Sequence, residues 1–214
     1  MSSFKKIFIL MTLTVSLFSG EFNQAVEDYN KGDYIKALNT FYTLAKQDDA
    51  KSQYNVGLIY ANGFGVQKDL REAQQWYEKA AKQGNGAAQY NLAQIYHLEG
   101  QKDVHAYEKA KYWYEKAAEA GIKEAYNNLG TLYLEGAGVE KNEQKAFELF
   151  QKGSQKGDGS AQVNVAILYA WGEKVSHDKM KAYENLKKAL KEGQSAASEY
   201  LDKLCQESAW VCKE

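Results

Sequence analysis

The residues of this chain most able to form a row of equivalent hydrogen-bonding groups are asparagines that recur at intervals of 36 or 37 residues. They are Asn55, Asn91, Asn128 and Asn164. An amide side chain offers both a donor and an acceptor, so such a row could pair with the backbone of an extended peptide without reading its sequence. Each amide could instead bond between neighbouring helices. The sequence leaves both interpretations open.

Side chains beside this row would extend it with polar and aromatic contacts. They are Tyr54 and Tyr90, together with Gln53, Gln89, Asn127 and Gln162. Other aromatic residues recur at helical spacing, which is typical of a packed core and not of a cofactor site. The sequence therefore predicts a peptide or protein partner and no cofactor.

A serine-based reaction is suggested by one short match, in which Lys179 follows Ser176 by three residues. Penicillin-recognising serine enzymes combine such a pair with Ser-Asp-Asn and Lys-Thr-Gly elements, and the chain contains neither. Ser176 also falls between two predicted helices, where it and Asp178 suit a helix cap. We therefore predict no catalytic residue.

The histidines, His97, His105 and His177, are too few and too dispersed to indicate a metal site. His97 and His105 have no cysteine or second carboxylate at ligand spacing. We expect them to be solvent-exposed loop residues, and we predict no metal.

The two cysteines, Cys205 and Cys212, are seven residues apart, and in an oxidising compartment such a pair would join. Seven residues of continuous helix rise about 10 Å, whereas the Cα atoms of a disulfide lie within roughly 7 Å. The chain must therefore turn back between them. A redox-active pair would need closer spacing and a positively charged setting, so a structural disulfide is the prediction.

The first 20 residues resemble a secretory signal peptide, because Lys5 and Lys6 precede an apolar stretch that ends at the small residues Ser19 and Gly20. That stretch is short for a membrane span of about 20 residues. We expect a secreted or periplasmic product that leaves the membrane after cleavage. The chain has a formal net charge of −1 and no basic block, which argues against nucleic acid or anionic lipid as a partner.

Apolar residues at helical spacing accompany each asparagine. In the first copy they are Val56, Gly57, Ile59 and Tyr60, and a second helix follows with Ala73, Trp76, Tyr77 and Ala80. Glycine costs a helix about 1 kcal/mol relative to alanine, so Gly57 predicts close helix packing in compensation. Two amphipathic helices cannot bury their apolar faces alone, and the copies must stack. The sequence predicts an all-α fold, an α-solenoid of antiparallel helix pairs.

The ends of the second helices are predicted at glycines that can adopt a left-handed conformation, since the chain contains no proline. These glycines are Gly84, Gly121, Gly157 and Gly193. The predicted segments are a signal peptide (1–20), an N-terminal helix-pair cap (21–49), four repeats (50–85, 86–122, 123–158 and 159–194) and a C-terminal capping helix with the disulfide (195–214). Caps are required because the end faces of a stack would otherwise be exposed.

The first repeat resembles the Sel1-like repeat, a relative of the tetratricopeptide repeat. The resemblance rests on Gly-Phe-Gly-Val at 63–66, followed by the Ala-x-x-Trp-Tyr-x-Lys-Ala-Ala helix at 73–81. The third copy keeps the loop as Gly-Ala-Gly-Val at 136–139, while the second and fourth depart from it at 99–101 and 172–175. The helices match in every copy, so the resemblance covers nearly all of the chain after residue 20.

Within that family, the signal peptide and the Cys205–Cys212 segment resemble secreted, cysteine-rich Sel1 proteins of bacteria, some of which bear a penicillin-binding or β-lactamase label. The resemblance implies an exported scaffold that binds a peptide or protein on its concave face, which the first helices line. The roles that it implies for such a scaffold are cell-envelope assembly and host interaction. The alternative that it implies is a β-lactam-binding or β-lactam-hydrolysing protein. It implies nothing about oligomeric state.

Overall fold

The computed structural model describes residues 19–213 of the chain. Within this range all regular secondary structure is helical, which confirms the predicted all-α class. The segment predicted to be a signal peptide lies outside the described residues, except for Ser19 and Gly20.

The helices of the described range follow one another with short connections. The first, α1, covers residues 19–31. The others are α2 (Tyr34–Ala45), α3 (Ala50–Asn62), α4 (Leu70–Lys82), α5 (Gly86–Gly100), α6 (His105–Glu119), α7 (Lys123–Glu135), α8 (Glu143–Gln155), α9 (Gly159–Trp171), α10 (Lys179–Lys191) and α11 (Ala196–Glu207). Neighbours such as α3 and α4, α7 and α8, and α9 and α10 pack against each other. They form the tandem helix pairs that the repeat predicts.

The described residues divide within α5 into two compact units, 19–92 and 93–213. In the first unit, α2, α3 and α4 share a core that includes the buried side chains of Phe41, Ile59 and Trp76. Gly57 of α3 lies against the ring of Tyr77 on α4, and a Cβ atom at Gly57 would be only 2.7 Å from that ring. The close packing predicted from this glycine is therefore confirmed.

In the second unit the same close approach occurs between α7 and α8. A Cβ atom at Gly130 would lie 2.6 Å from the ring of Phe150. Phe150 is fully buried and packs with Val165 and Leu168 of α9 and with Val175 from the following loop. The third pair thus shares its core with the fourth, as stacking requires.

In the first, third and fourth repeats a backbone hydrogen bond links the start of the second helix to the end of the first. The N–H of the N-cap residue donates to a tyrosine carbonyl at the end of the first helix, over 2.8 or 2.9 Å, for Asp69 to Tyr60, Asn142 to Tyr133 and Asp178 to Tyr169. At the other end, the predicted left-handed glycines have φ angles of 84°, 86°, 91° and 93°. That prediction is confirmed.

The loop of the fourth repeat departs from the Gly-x-Gly-Val pattern and is held differently. The carboxylate of Glu143, at the start of α8, accepts hydrogen bonds from the backbone N–H groups of Glu173, Lys174 and Val175, at 3.1, 2.6 and 3.1 Å. Burial raises the pKa of Glu143, but these three donors together outweigh it, so that the pKa is lowered below its ordinary value. In the fourth repeat the carboxylate of Glu143 therefore holds the loop that the Gly-x-Gly-Val turn forms in the first and third repeats.

The C-terminal segment consists of α11 and a turn that follows it. The chain folds back after Glu207, which brings the Cα atoms of Cys205 and Cys212 to 5.7 Å and their sulfur atoms to bonding distance, 1.97 Å. Between them, Val211 is fully buried against α10 and α11. No second helix follows α11 among the residues up to 213, and the cysteine pair closes this turn where complete repeats use a cap hydrogen bond.

Candidate functional site

The recurring asparagines lie on the first helices of the repeats, α3, α5, α7 and α9, and all are half-buried. Two of them bond to a tyrosine on the second helix of the preceding repeat. Asn91 is hydrogen-bonded to Tyr77, and Nδ2 of Asn128 donates to the hydroxyl of Tyr114 over 3.3 Å. At these two places the asparagine ties neighbouring helices together, which is the structural interpretation of the row.

The other two asparagines follow a phenylalanine at the place of the tyrosine, Phe41 before Asn55 and Phe150 before Asn164. Phenylalanine has no hydroxyl to accept a bond. Nδ2 of Asn55 donates instead to the carbonyl of Lys51 one turn earlier, over 2.9 Å, and Nδ2 of Asn164 donates to Oδ1 of Asn127 over 2.8 Å. The row is therefore made of two kinds of position.

The signal that separates these two kinds was present in the sequence. The residue 14 positions before each asparagine is a tyrosine for Asn91 and Asn128, and a phenylalanine for the other two. Burial raises the pKa of the Tyr77 hydroxyl, while the bond to Asn91 acts in the opposite direction. A buried phenol that needs a partner explains why the amide is drawn to it.

In the second unit the asparagines form a continuous series of hydrogen bonds. Asn164 donates to Asn127 over 2.8 Å, Asn127 donates to Oδ1 of Asn128 over 3.4 Å, and Asn128 donates to Tyr114 over 3.3 Å. We call these four residues the amide network. It connects α9, α7 and α6, so one polar strip crosses three successive repeats.

The predicted flanking residues divide into half-buried and buried ones. Tyr54 and Tyr90 are half-buried on α3 and α5, and the ring of Tyr54 lies 5.9 Å from that of Tyr77. The predicted groove contacts of the glutamines are wrong, because all three are buried, with exposed fractions of 1% for Gln53, 6% for Gln89 and 2% for Gln162. A buried side chain cannot reach a partner in the groove.

The buried glutamines join repeats instead. Nε2 of Gln53 donates to the carbonyl of Ala45 over 3.2 Å, and Nε2 of Gln89 to that of Ala81 over 3.1 Å. In the third repeat the hydroxyl of Tyr126 makes the equivalent bond to Ala118 over 3.3 Å. Each of these bonds satisfies a carbonyl near the end of the preceding second helix.

The serine and lysine of the candidate hydrolytic pair do not act together. Ser176 is exposed, whereas Nζ of Lys179 donates to the hydroxyl of Ser208 over 2.6 Å. Asp178 caps α10 by accepting from the backbone N–H of Lys181 over 3.0 Å. Ser208 itself is 4% exposed beneath the C-terminal turn, where a substrate could not reach its hydroxyl.

The interpretation of His97 as a solvent-exposed loop residue is wrong. Since α5 extends to Gly100, His97 lies within the helix, half-buried, with its ring centroid 5.4 Å from that of Tyr107 and 6.1 Å from that of Tyr114. His105 is exposed at the start of α6, as expected. Within residues 19–213, no group of three or more His, Cys, Asp or Glu side chains could hold a metal ion.

Tandem helix pairs that bury glycine against an aromatic ring and end at left-handed glycines define a class of helical repeat proteins. Comparison with known families identifies the repeat: the family model of the Sel1 repeat matches residues 50–85, 86–122, 123–158 and 159–194. The chain belongs to the Sel1 repeat family.

Solved structures agree with this assignment. A Sel1 repeat protein from Oxalobacter formigenes is 31% identical, with a TM-score of 0.74 over 84% of this chain and 75% of that one. The protein c5321, a protective antigen of uropathogenic Escherichia coli with an SLR fold, is 30% identical, with a TM-score of 0.83 over 92% of this chain and 43% of that one.

Curated relatives match over shorter segments. "DAP3-binding cell death enhancer 1" of Rattus norvegicus is 39% identical over 49 residues, which are 23% of this chain and 10% of that protein. "ERAD-associated E3 ubiquitin-protein ligase component HRD3" of Candida glabrata is 27% identical over 77 residues, 32% of this chain and 9% of that protein. The matches thus span about a tenth of the length of these relatives.

Two further observations bear on where the chain acts. Among the described helices, none is both long enough and apolar enough to cross a membrane. The Cys205–Cys212 pair at bonding distance fits an oxidising compartment.

Proposed function

We propose that this Sel1 repeat protein is an exported, non-catalytic scaffold that binds an extended peptide or protein segment along the concave face of its first helices. The observation that carries the proposal is the amide network, whose three asparagines lie on the successive first helices α7 and α9. A primary amide has two N–H donors and an oxygen with two lone pairs, so an amide such as Asn164, with one such bond, keeps capacity for a peptide backbone.

The two kinds of asparagine position would contribute differently. Asn91 is engaged with a buried tyrosine, whereas Asn55 and Asn164 are free of any tyrosine bond. An amide that can exchange a local bond for a bond to a peptide loses little on binding, since one hydrogen bond replaces another. We therefore assign the main contacts in the second unit to Asn127 and Asn164, with Asn128 in support.

The names of the curated relatives support a protein partner in general terms. One is named for binding another protein and the other as a component of a ligase.

Export rests on the signal-like first 20 residues and the cysteine pair. Its test is the mature N-terminus of the natural protein, which we expect near residue 21 in the periplasm or medium. A cell-associated chain that retains Met1 would contradict export.

Binding is tested by selecting peptides from a random display library on the purified chain and measuring their affinity for variants. Asn127→Ala with Asn164→Ala should weaken a selected peptide about thirtyfold, as expected for two lost hydrogen bonds of about 1 kcal/mol each. A matched double variant, Asn39→Ala with Asn62→Ala, changes the same residue type at exposed positions and should retain affinity.

Two results would contradict the proposal. One is unchanged affinity in the Asn127/Asn164 variant while its thermal unfolding matches that of the unaltered chain, because the peptide would then bind elsewhere. The other is turnover of a chromogenic cephalosporin by the purified chain that is lost on Ser176→Ala, which would establish a hydrolase.

A further inference from the structure

The last complete repeat differs from the others in the charge of its second helix. Five lysines and one glutamate lie within α10. By contrast, α6 and α8 carry equal numbers of basic residues and carboxylates, and α4 has an excess of one basic residue. A chain with a formal net charge of −1 thus concentrates positive charge on one helix.

The same helix exposes an apolar residue where other repeats do not. Leu190 is 40% exposed, whereas the residues at its place, Ala81 and Ala118, are 2% and 7% exposed. The third repeat has the small residue Ser154 there. Leu190 therefore exposes apolar surface to solvent and contributes little to the core.

The lysines of α10 and the exposed Leu190 line one groove between α10 and α11. Its volume is about 660 Å³, and Tyr183, Leu190 and Leu201 line it together with Lys187, Lys188 and Lys191. Tyr183 is buried, Leu201 is half-buried, and Nζ of Lys187 lies 4.9 Å from the centroid of the Tyr183 ring. The groove therefore has an apolar floor and a cationic rim. We call it the α10–α11 groove.

Among residues 19–213, one of the three rim lysines pairs with a carboxylate of the protein, and the other two do not. Lys188 lies 3.9 Å from Glu192, a long ion pair. Within residues 19–213, Lys187 and Lys191 form no ion pair. At the place of Lys187 the first two repeats have Glu78 and Glu115, so the fourth repeat reverses the charge at this position.

We propose that the α10–α11 groove binds an acidic amphipathic peptide segment of a partner protein, independently of the amide network. Apolar side chains of the segment would lie on Leu190 and Leu201, and its carboxylates would pair with Lys187 and Lys191. This combination suits an amphipathic helix in a groove. The concave apolar floor between two helices favours such a segment over a flat anionic surface.

The test uses the full chain and a fluorescein-labelled synthetic peptide that forms a helix with leucines on one face and glutamates on the others. Fluorescence anisotropy should show binding that weakens as salt is raised, because the rim charges are exposed. Lys187→Glu with Lys191→Glu should weaken it at least about tenfold, since each lost pair becomes a repulsion. Leu190→Ser should also weaken it.

The matched control is Lys145→Glu with Lys152→Glu, which changes the net charge equally at exposed positions of α8. We expect it to retain affinity, as should Asn127→Ala with Asn164→Ala, which separates this groove from the proposed function. Equal loss in both lysine variants would overturn the proposal, because only net charge would matter. The proposal would also be overturned if a peptide with glutamine in place of each glutamate bound as tightly as the acidic peptide.

Two further outcomes would overturn it. If the chain does not bind the acidic peptide at all, the groove has no such specificity. If vesicles of phosphatidylglycerol bind the chain through Lys187 and Lys191 while the peptide does not, the surface contacts lipid instead. Circular dichroism of each variant should match that of the unaltered chain, and a variant that fails this check is replaced by Lys187→Gln with Lys191→Gln.

Discussion

The junctions between repeats differ according to the residue that the second helix presents to the next asparagine. Where that residue is tyrosine, as at Tyr77 and Tyr114, the asparagine bonds to it and becomes part of the packing. Where it is phenylalanine, as at Phe41 and Phe150, the asparagine bonds elsewhere. The presence or absence of one hydroxyl oxygen thus distinguishes an asparagine that bonds to a tyrosine of the preceding helix from one that bonds elsewhere.

The largest expected effect on stability comes from substitution of the glycine that packs against an aromatic ring. Gly57→Ala should destabilise the chain by about 2 kcal/mol, because the new methyl group would overpack against the Tyr77 ring. Gly130→Ala should cost less, since the Phe150 ring has no hydroxyl bond and can tilt. The gain in helix propensity is the same in both. Thermal unfolding of the two variants measures the difference, and equal costs would break the comparison.

Next in size is removal of the amide that bonds to a buried tyrosine. Asn91→Ala should cost about 1 to 2 kcal/mol, because it leaves the Tyr77 hydroxyl without its partner. In a Tyr77→Phe background the same substitution should cost much less. Asn55→Ala, which follows a phenylalanine, is the matched control and should cost under about 0.5 kcal/mol. The double-mutant cycle consists of the unaltered chain, Asn91→Ala, Tyr77→Phe and the variant with both substitutions, and chemical denaturation measures the stability of each. Additive costs would show that the two side chains are not coupled.

A smaller, pH-dependent effect is expected at Glu143, which lies at the phenylalanine junction. Its lowered pKa means that its stabilisation is complete above the ordinary value of 4.5 and is lost as the pH falls through the lower value in the folded chain. Glu143→Gln should cost about 1 kcal/mol at neutral pH, after allowance for partial exposure.

The check for Glu143 is the difference in unfolding free energy between the unaltered chain and Glu143→Gln, measured from pH 7 downward. This difference should shrink below the ordinary pKa, because protonation removes the charge from Glu143. Other carboxylates titrate equally in both proteins and cancel. A difference that does not change with pH would contradict the role of the three backbone donors.

The smallest expected effect on stability is conversion of one kind of junction into the other. Phe150→Tyr should change the free energy of unfolding by less than about 1 kcal/mol, since a new hydroxyl must be buried but can bond to Asn164. Its effect on binding should be larger, because Asn164 would be drawn away from Asn127. NMR of the Asn164 side-chain amide should report the change. If that resonance does not shift, the new tyrosine hydroxyl does not change the hydrogen bonding of Asn164.

Much of the fold follows from the sequence because it depends on local preferences. Gly57 indicated close packing because it lacks a Cβ atom, and Gly84 and Gly193 indicated helix ends because few other residues tolerate a left-handed conformation. The glutamines were misassigned, because a polar residue at a regular position does not reveal whether it faces solvent or a carbonyl of the preceding helix. His97 was misassigned because the second repeat extends α5 through its irregular loop.

The sequence by itself determined that this chain consists of tandem helix pairs and that its second helices end at left-handed glycines, since periodicity and glycine act through neighbouring residues. Only the tertiary structure decided which asparagines bond to a tyrosine of the preceding helix. Tyr77 and Asn91 are 14 residues apart in the chain, in different helices, and their contact exists only when two repeats are stacked. The charge and apolar surface of the α10–α11 groove likewise come together from two helices, because Leu201 of α11 joins the lysines and Leu190 of α10 only when these helices pack.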